Sequence, residues 1–480
     1  MEGYWGCMVE MVTDGMVQVT SRWCGRLKVS YLGLWLTCLW AQSQTLSLQA
    51  LYQAIQERHP LWRAITLGPD IAAAQLQATR SVWDPVLSAS YTAKDFKNQL
   101  YYTLFNADLK VPIWNAFDLK ALYEKTFGFS LNPEDLTPDA GLVGVGLSIP
   151  LGQGLLIDYR RAAIEKAKLY FRLSYPERQL LAANFLYEVA VDYWGWFSAY
   201  YKAQVYQQQL WVAESRYRFL KEAFLQGEAS RFDTLEAALE VALRRQQLQN
   251  AQGELIKKAL LVARHLWPPD EESLEAFPAR YVPDSALPYL PPEKWVELVN
   301  THPKLQIYEL KRRILQIERR WAAEQLRPRL QVDYAFLRDP KKWEVGWSRP
   351  FETNYKLAIT FGMPLYLRQA RGQLSETRLR MLQLESEQLF EARSLYSKAL
   401  GQKALIDALY EQLKAQESVV QGLFELIALE NERFRAGESD LFVINRRERE
   451  AFSALLNLYD LYARYGMAVA EFGAIVAWVP

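Results

Sequence analysis

Two stretches in the second half of the chain decide how it is read: RLQVDYAFL, Arg329 to Leu337, and NYKLAITFGM, Asn354 to Met363. In the first, Leu330, Val332, Tyr334 and Phe336 share one face, and Arg329, Gln331, Asp333 and Ala335 the other. In the second, Tyr355, Leu357, Ile359, Phe361 and Met363 oppose Asn354, Lys356, Ala358, Thr360 and Gly362. A period of two belongs to a strand with unlike faces. The first half carries a matching pair. Leu87, Ala89, Tyr91 and Ala93 oppose Ser88, Ser90, Thr92 and Lys94, and Val143, Val145, Leu147 and Ile149 oppose Gly144, Gly146 and Ser148. Each run is close to the ~9–11 residues that a tilted strand needs to cross a bilayer, so four such strands per chain are expected.

The matching pairs belong to a longer repeat. His59-Pro60 recurs as His302-Pro303, Pro85 as Pro328 and Tyr91 as Tyr334, each 243 residues on. Leu147 to Leu151 matches Phe361 to Leu365 at an offset of 214, and Gly227-Glu228 matches Gly437-Glu438 at 210. The first half therefore carries an insertion of about 29 residues near Asn98 to Asp139. Between the halves, Pro268 to Pro292 holds seven of the 21 prolines, which cannot continue a helix. These boundaries give a first repeat over 42–267, a linker over 268–292 and a second repeat over 293–480.

Elsewhere the pattern is helical. Ser174-Tyr-Pro-Glu177 has the form of a capping box, and from there to Gly227 nothing breaks the helical period, a run of ~75 Å at ~1.5 Å per residue. Leu180, Ala183, Tyr187, Ala190, Trp194, Phe197 and Tyr201 form one coiled-coil seam. Leu186, Val189, Tyr193, Trp196, Tyr200 and Ala203 form a second about 100° away. Two seams imply a neighbour on each side, as in a ring of helices. A softer seam follows at Leu235, Leu239, Ala242, Gln246, Gln249, Gly253, Ile256, Leu260 and Ala263.

Composition narrows the class. Of 480 residues 50% are hydrophobic, and 56 basic residues face 55 acidic ones for a net charge of +1. That is too apolar for disorder and gives no net pull toward nucleic acid. Beyond residue 42 no apolar run reaches the ~18 residues of a spanning helix. The N-terminus reads as an export signal over residues 1–41, with an over-extended start. Arg22, Arg26 and Lys28 precede an apolar core, Val29 to Trp40, and Ala41 offers a cleavage point. A short anchor and a lipid attached to Cys38 are the alternatives. All three cysteines, Cys7, Cys24 and Cys38, lie in this segment.

Four alternating strands leave two bare edges, which a bilayer does not tolerate, so in a membrane they must close with strands of other copies. Aromatic residues flank the strands where interface girdles lie: Phe96, Tyr101, Tyr102 and Phe105, and Trp343, Trp347 and Phe351. The alternative is a soluble four-stranded sheet with a helical arm.

The two-fold repeat, the helix begun by His-Pro, the strand ending in IPLGQG (Ile149 to Gly154) and the turns GEASRFDTLEA (Gly227 to Ala237) and GESDLFVIN (Gly437 to Asn445) resemble the TolC-type outer-membrane efflux family over Leu46 to Val476. The resemblance implies a mainly α chain with a membrane β-barrel portion. Long helices would form a trimeric periplasmic tunnel, and four strands per chain would contribute to a shared barrel in the outer membrane. It further implies a passive conduit for small molecules or polypeptides, receiving them from an inner-membrane pump through a periplasmic adaptor. The two turns, Gly227 with Glu228 and Gly437 with Glu438, become the adaptor-contacting tips. Asp233 and Glu236, with Val443 and Arg446 at the matching offsets, become candidates for the tunnel entrance, although Val443 and Arg446 depart from the family's acidic pattern. The bland readings are helix-ending glycines and, for Asp233, an ordinary first-turn carboxylate. A coiled-coil scaffold or adaptor without channel activity is the alternative function.

No chemistry is expected. His59 and His302 precede equivalent helix-starting prolines and read as a repeated cap rather than a metal pair, and His265 as a cation at a helix end. The glycine spacings lack the lysine of a phosphate loop, and no nucleophile motif occurs. The chain is read as a non-enzyme without cofactor or metal.

Overall fold

The computed structural model describes residues 44–113, 117–267, 277, 281–284, 295–341, 354–436, 438–439 and 441–479. The export signal, Trp343, Trp347, Phe351 and Gly437 lie outside the described residues, as does most of the linker. In chain order the elements are β1 (Gln44–Leu46), α1 (Leu48–Arg58), α2 (Pro60–Thr66), α3 (Gly68–Thr79), β2 (Val86–Phe96), β3 (Gln99–Pro112), β4 (Asp118–Phe127), β5 (Leu142–Pro150), α4 (Tyr159–Leu225), α5 (Arg231–Ala263), β6 (Tyr281–Pro283), α6 (Trp295–Asn300), α7 (Pro303–Glu324), β7 (Arg329–Arg338), β8 (Tyr355–Gly362), α8 (Arg368–Arg435) and α9 (Leu441–Ile475). They form two compact units. A sheet unit takes Ala64–Ala182 and Lys294–Ser397, and a helical unit takes the chain up to Arg63 with Ala183–Glu293 and Lys398–Pro480. Each unit draws on both sequence repeats.

The sheet unit is built on an antiparallel sheet in the order β2-β3-β4-β5-β7-β8. The four alternating runs fall on β2, β5, β7 and β8, but the expected count of four is wrong, because the first-repeat insertion supplies two more strands, β3 and β4. Their alternation is plain once they are read as strands: Phe105, Ala107, Leu109 and Val111 oppose Asn106, Asp108 and Lys110. The β2–β3 connection is a two-residue turn with Lys97 at φ 56° and Asn98 at φ 58°, and Phe96 faces Gln99. Two left-handed residues in succession make the turn whose twist matches a hairpin.

Register sorts the sheet into two unlike faces. One row crosses all six strands through Leu87, Leu109, Ala121, Val145, Phe336 and Tyr355. The adjacent row, on the other face, crosses through Val86, Lys110, Lys120, Gly146, Ala335 and Lys356. Lys120 meets Asp333 at 2.6 Å, and Lys356 meets Glu124 at 2.9 Å. Both ion pairs lie on the polar face and reach over β5, whose Gly144 and Gly146 present no side chain there. A Cβ on Gly144 would stand 2.8 Å from Leu122 Cγ and 2.9 Å from Leu337 Cδ2. Glycine is what lets the neighbouring strands crowd together on that side.

The IPLGQG stretch ends β5 against the start of β7. The Leu151 N–H donates to Leu330 O at 2.7 Å and the Gln153 N–H to Pro328 O at 2.8 Å. A Cβ on Gly152 would lie 2.1 Å from Pro328 O, and Gly154 sits at φ +99°. Buried Glu324, at the end of α7, accepts from the Gly154 and Leu156 N–H groups at 3.1 and 3.2 Å. Ile157, Ala162 and Ile317 form a core there, with Leu169 and Trp321 packed on it. The expected cap at Ser174 does not start a helix. α4 begins at Tyr159 and runs through Pro176, and the Ser174 hydroxyl donates back to Phe171 O at 2.7 Å.

In the helical unit the two seams of α4 are buried at Ala183, Leu186, Val189, Ala190, Tyr193, Trp194, Trp196, Phe197 and Ala203, and half-buried at Tyr187, Tyr200 and Tyr201. Trp194, Phe197 and Tyr201 pack toward α9, where Tyr201 stacks on Tyr459 at 4.7 Å. Gly466 admits the Trp194 ring, to which a Cβ would come within 2.1 Å. The other seam turns toward the N-terminal segment, where the Tyr52 hydroxyl of α1 donates to Leu186 O at 3.2 Å. Tyr193 donates to Leu46 O at 2.9 Å and accepts from the Asp284 N–H at 3.0 Å, and Trp196 packs on Phe277 at 5.3 Å. Its partners are therefore α1, Phe277 and the short parallel pair β1–β6 rather than one long helix. The softer seam on α5 stays largely open in the single chain, with Leu235 60% and Leu239 59% exposed.

Candidate functional site: the helix turns and the cavity beside them

α4 ends as its glycine demands. The Glu228 N–H donates to Ala223 O at 2.9 Å and the Gly227 N–H to Phe224 O at 3.0 Å, with Gly227 at φ +81°. This is the paired closure of a Schellman turn. The second turn repeats one half of it, since the Glu438 N–H donates to Arg433 O at 2.9 Å. The carboxylates of Glu228 and Glu438 are exposed.

Asp233 completes the capping box that starts α5, with Ser230 as the N-cap. Its carboxylate accepts from the Ser230 hydroxyl at 2.6 Å and the Ser230 N–H at 3.1 Å, while its own N–H donates to Ser230 Oγ. The hydrogen bonds from Ser230 hold its carboxyl below the usual range. The same residue nevertheless lines a cavity of about 310 Å³ between α4, α5 and α9, together with Glu236, Glu240, Arg216, Arg244 and Glu448. Arg244 is neutralised by Glu240 at 2.7 Å and also donates to buried Gln209. Glu236 is exposed and makes no ion pair among the described residues.

Arg216, which no sequence pattern singled out, joins α4 to α9. It donates to Asn445 and, through Nη2, to both carboxylate oxygens of Glu448 at 2.8 Å. Of the second turn's candidates, Val443 is half-buried, and Arg446 is exposed and paired with Glu450 at 3.0 Å. Asp233 and Glu236 thus share one cavity wall, while the charge of Arg446 is balanced within its own helix.

Two of the three histidines hold helix starts. His59 Nδ1 accepts from the Leu61 N–H at 3.2 Å, and His302 Nδ1 from the Lys304 N–H at 3.1 Å, so the repeated cap is real. His265 contacts Asp192 Oδ2 at 2.9 Å and lies 6.0 Å from the His59 ring. Burial alone would raise the Asp192 carboxyl; the hydrogen bond from His265 and the Arg264 guanidinium outweigh it and hold it low. No group of three His, Cys, Asp or Glu among the described residues is placed to hold a metal ion. No described helix is long and apolar enough to cross a membrane.

No family profile matches the sequence, and no curated protein matches it. Among solved structures the chain is similar to a membrane protein from Pseudomonas aeruginosa, at 16% identity and a TM-score of 0.65 over 90% of this chain and 91% of that one. It is similar to the CmeC outer membrane channel of Campylobacter jejuni, at 13% identity and a TM-score of 0.65 over 90% and 85%. It is also similar to the MtrE outer membrane channel of Neisseria gonorrhoeae in its open state, at 16% identity and a TM-score of 0.64 over 90% and 88%. Across nine-tenths of its length the chain has the fold of the TolC-type outer-membrane efflux channels.

Proposed function

We propose that the chain is an outer-membrane channel of a tripartite efflux or type I secretion system. It conducts small molecules or polypeptides passively from an inner-membrane pump and periplasmic adaptor to the outside, without catalysis or cofactor. The observation that carries this reading is the sheet, apolar on one face, polar and charged on the other, with the outer edges of β2 and β8 unpaired among the described residues. Lipid leaves no backbone edge unpaired, so such a sheet in a bilayer needs further copies, and a homotrimer fits the fold. The export signal over residues 1–41 delivers the chain, repeats 42–267 and 293–480 are joined by the linker 268–292, and the helical unit stands in the periplasm. The turns at Gly227-Glu228 and Gly437-Glu438 contact the adaptor, and Asp233 and Glu236 face the tunnel entrance, with Val443 and Arg446 at the matching places of the second repeat.

Membrane fractionation tests this. The protein should sediment with the outer membrane as a trimer, and recovery as a soluble periplasmic monomer would overturn the reading in favour of a coiled-coil scaffold.

A further inference from the structure

The insertion in the first repeat is not an appendage. In the second repeat the two strands, β7 and β8, pair directly with each other. Their counterparts in the first, β2 and β5, are separated by the β3–β4 hairpin. Two added strands preserve the up-and-down alternation, so β5 still meets β7 antiparallel. We propose that this hairpin spans the membrane as part of the wall and widens the barrel, three copies closing eighteen strands with six from each; this rests on the channel reading above.

Three observations carry it. The hairpin obeys the face rule of the whole sheet, with Leu109 and Ala121 in the apolar row and Lys110 and Lys120 in the polar one. Its lengths, 14 residues in β3 and 10 in β4, meet the ~9–11 that a tilted spanning strand requires. It is also tied to the second repeat on the polar face, where Lys120 of β4 pairs with Asp333 of β7 and Glu124 of β4 with Lys356 of β8. A flap folded outside the bilayer has no reason to alternate, and it would not exchange charges with strands two and three places away.

The consequence is a wide and wet exit. Barrel diameter grows about linearly with strand number, so eighteen strands in place of twelve enlarge the cross-section roughly twofold, into the size range that leaves an aqueous channel. Such an outlet suits bulky hydrophilic solutes or extended polypeptide.

The test uses the full chain with Cys7, Cys24 and Cys38 replaced and single nitroxide-labelled cysteines introduced as L87C, L109C, A121C and V145C, reconstituted in phospholipid vesicles. The proposal expects oxygen to relax all four labels more than a water-soluble nickel chelate does. Labels at 109 and 121 that prefer the chelate, while those at 87 and 145 prefer oxygen, would overturn the proposal and leave the channel standing. Four labels that all prefer the chelate would bring down the channel reading itself. Strand counting in the purified assembly by electron cryo-microscopy should give eighteen, and twelve would overturn the inference.

Discussion

At the scale of single residues, most of what holds this chain is a backbone demand met by one side chain or by none. Gly466 is fixed by the buried Trp194 ring, which cannot yield to a Cβ at 2.1 Å. Gly466→Ala should cost about 1–3 kcal/mol, as overpacking does, seen as an earlier thermal transition. Gly227 is different: nothing lies within 4 Å of its Cβ position, but φ is +81°. Gly227→Val should meet only the left-handed penalty of about 1–2 kcal/mol. Under the proposed function, pump-dependent export should fall while trimers still assemble; unchanged export would remove the turn's docking role. His59 is held below its ordinary pKa by burial first and then by the His265 charge. The unfolded chain therefore takes up that proton more readily, and the stability His59 contributes is present above about pH 6.5 and lost as pH falls. His59→Asn keeps an acceptor for the Leu61 N–H and should flatten the decline in urea midpoint between pH 7.5 and 5.5. An equal decline in the variant would place the titration elsewhere.

At the scale of elements, what was legible in the sequence was whatever repeats locally. Four strands could be read from a period of two in Leu330 to Phe336 and its counterparts, and both α4 seams from their 3-4 spacing. The His59 and His302 caps could be read because each histidine bonds two residues on. β3 and β4 alternate as clearly, but comparison with the second repeat marks them as insertion, and an insertion carries no expectation of joining the sheet. Ser174 looked like a helix start because a capping box is a local pattern that a continuing helix can also contain. Pairings across the chain were not legible at all. Glu324 meets Gly154 across 170 positions and Arg216 meets Glu448 across 232, and no spacing rule connects them. The candidate site was legible as two glycine turns, but its cavity wall needed the fold. Arg216→Ala would strand a mostly buried carboxylate, costing about 1–3 kcal/mol. Hydrogen exchange should then quicken in the first turns of α9, and unchanged protection there would show that apolar packing alone joins α4 to α9. Glu324→Ala would leave the Gly154 and Leu156 N–H groups without their acceptor and should lower the melting temperature more than Glu324→Gln, which retains a carbonyl.

At the scale of the whole molecule, a chain that is half hydrophobic yet has no described spanning helix is explained by where its apolar atoms lie. Some bind helix to helix, some cover one face of a six-stranded sheet, and some remain exposed along α5. Under the proposed function, a net charge of only +1 fits a conduit that carries cargo selected upstream better than one that selects by its own field. The claim on which this rests is that the polar face of the sheet encloses water across a membrane. Recording from the purified full-length protein in a planar lipid bilayer measures that directly. Discrete, reproducible conductance steps are predicted, and a bilayer that stays silent while the same preparation remains a soluble monomer would contradict the account.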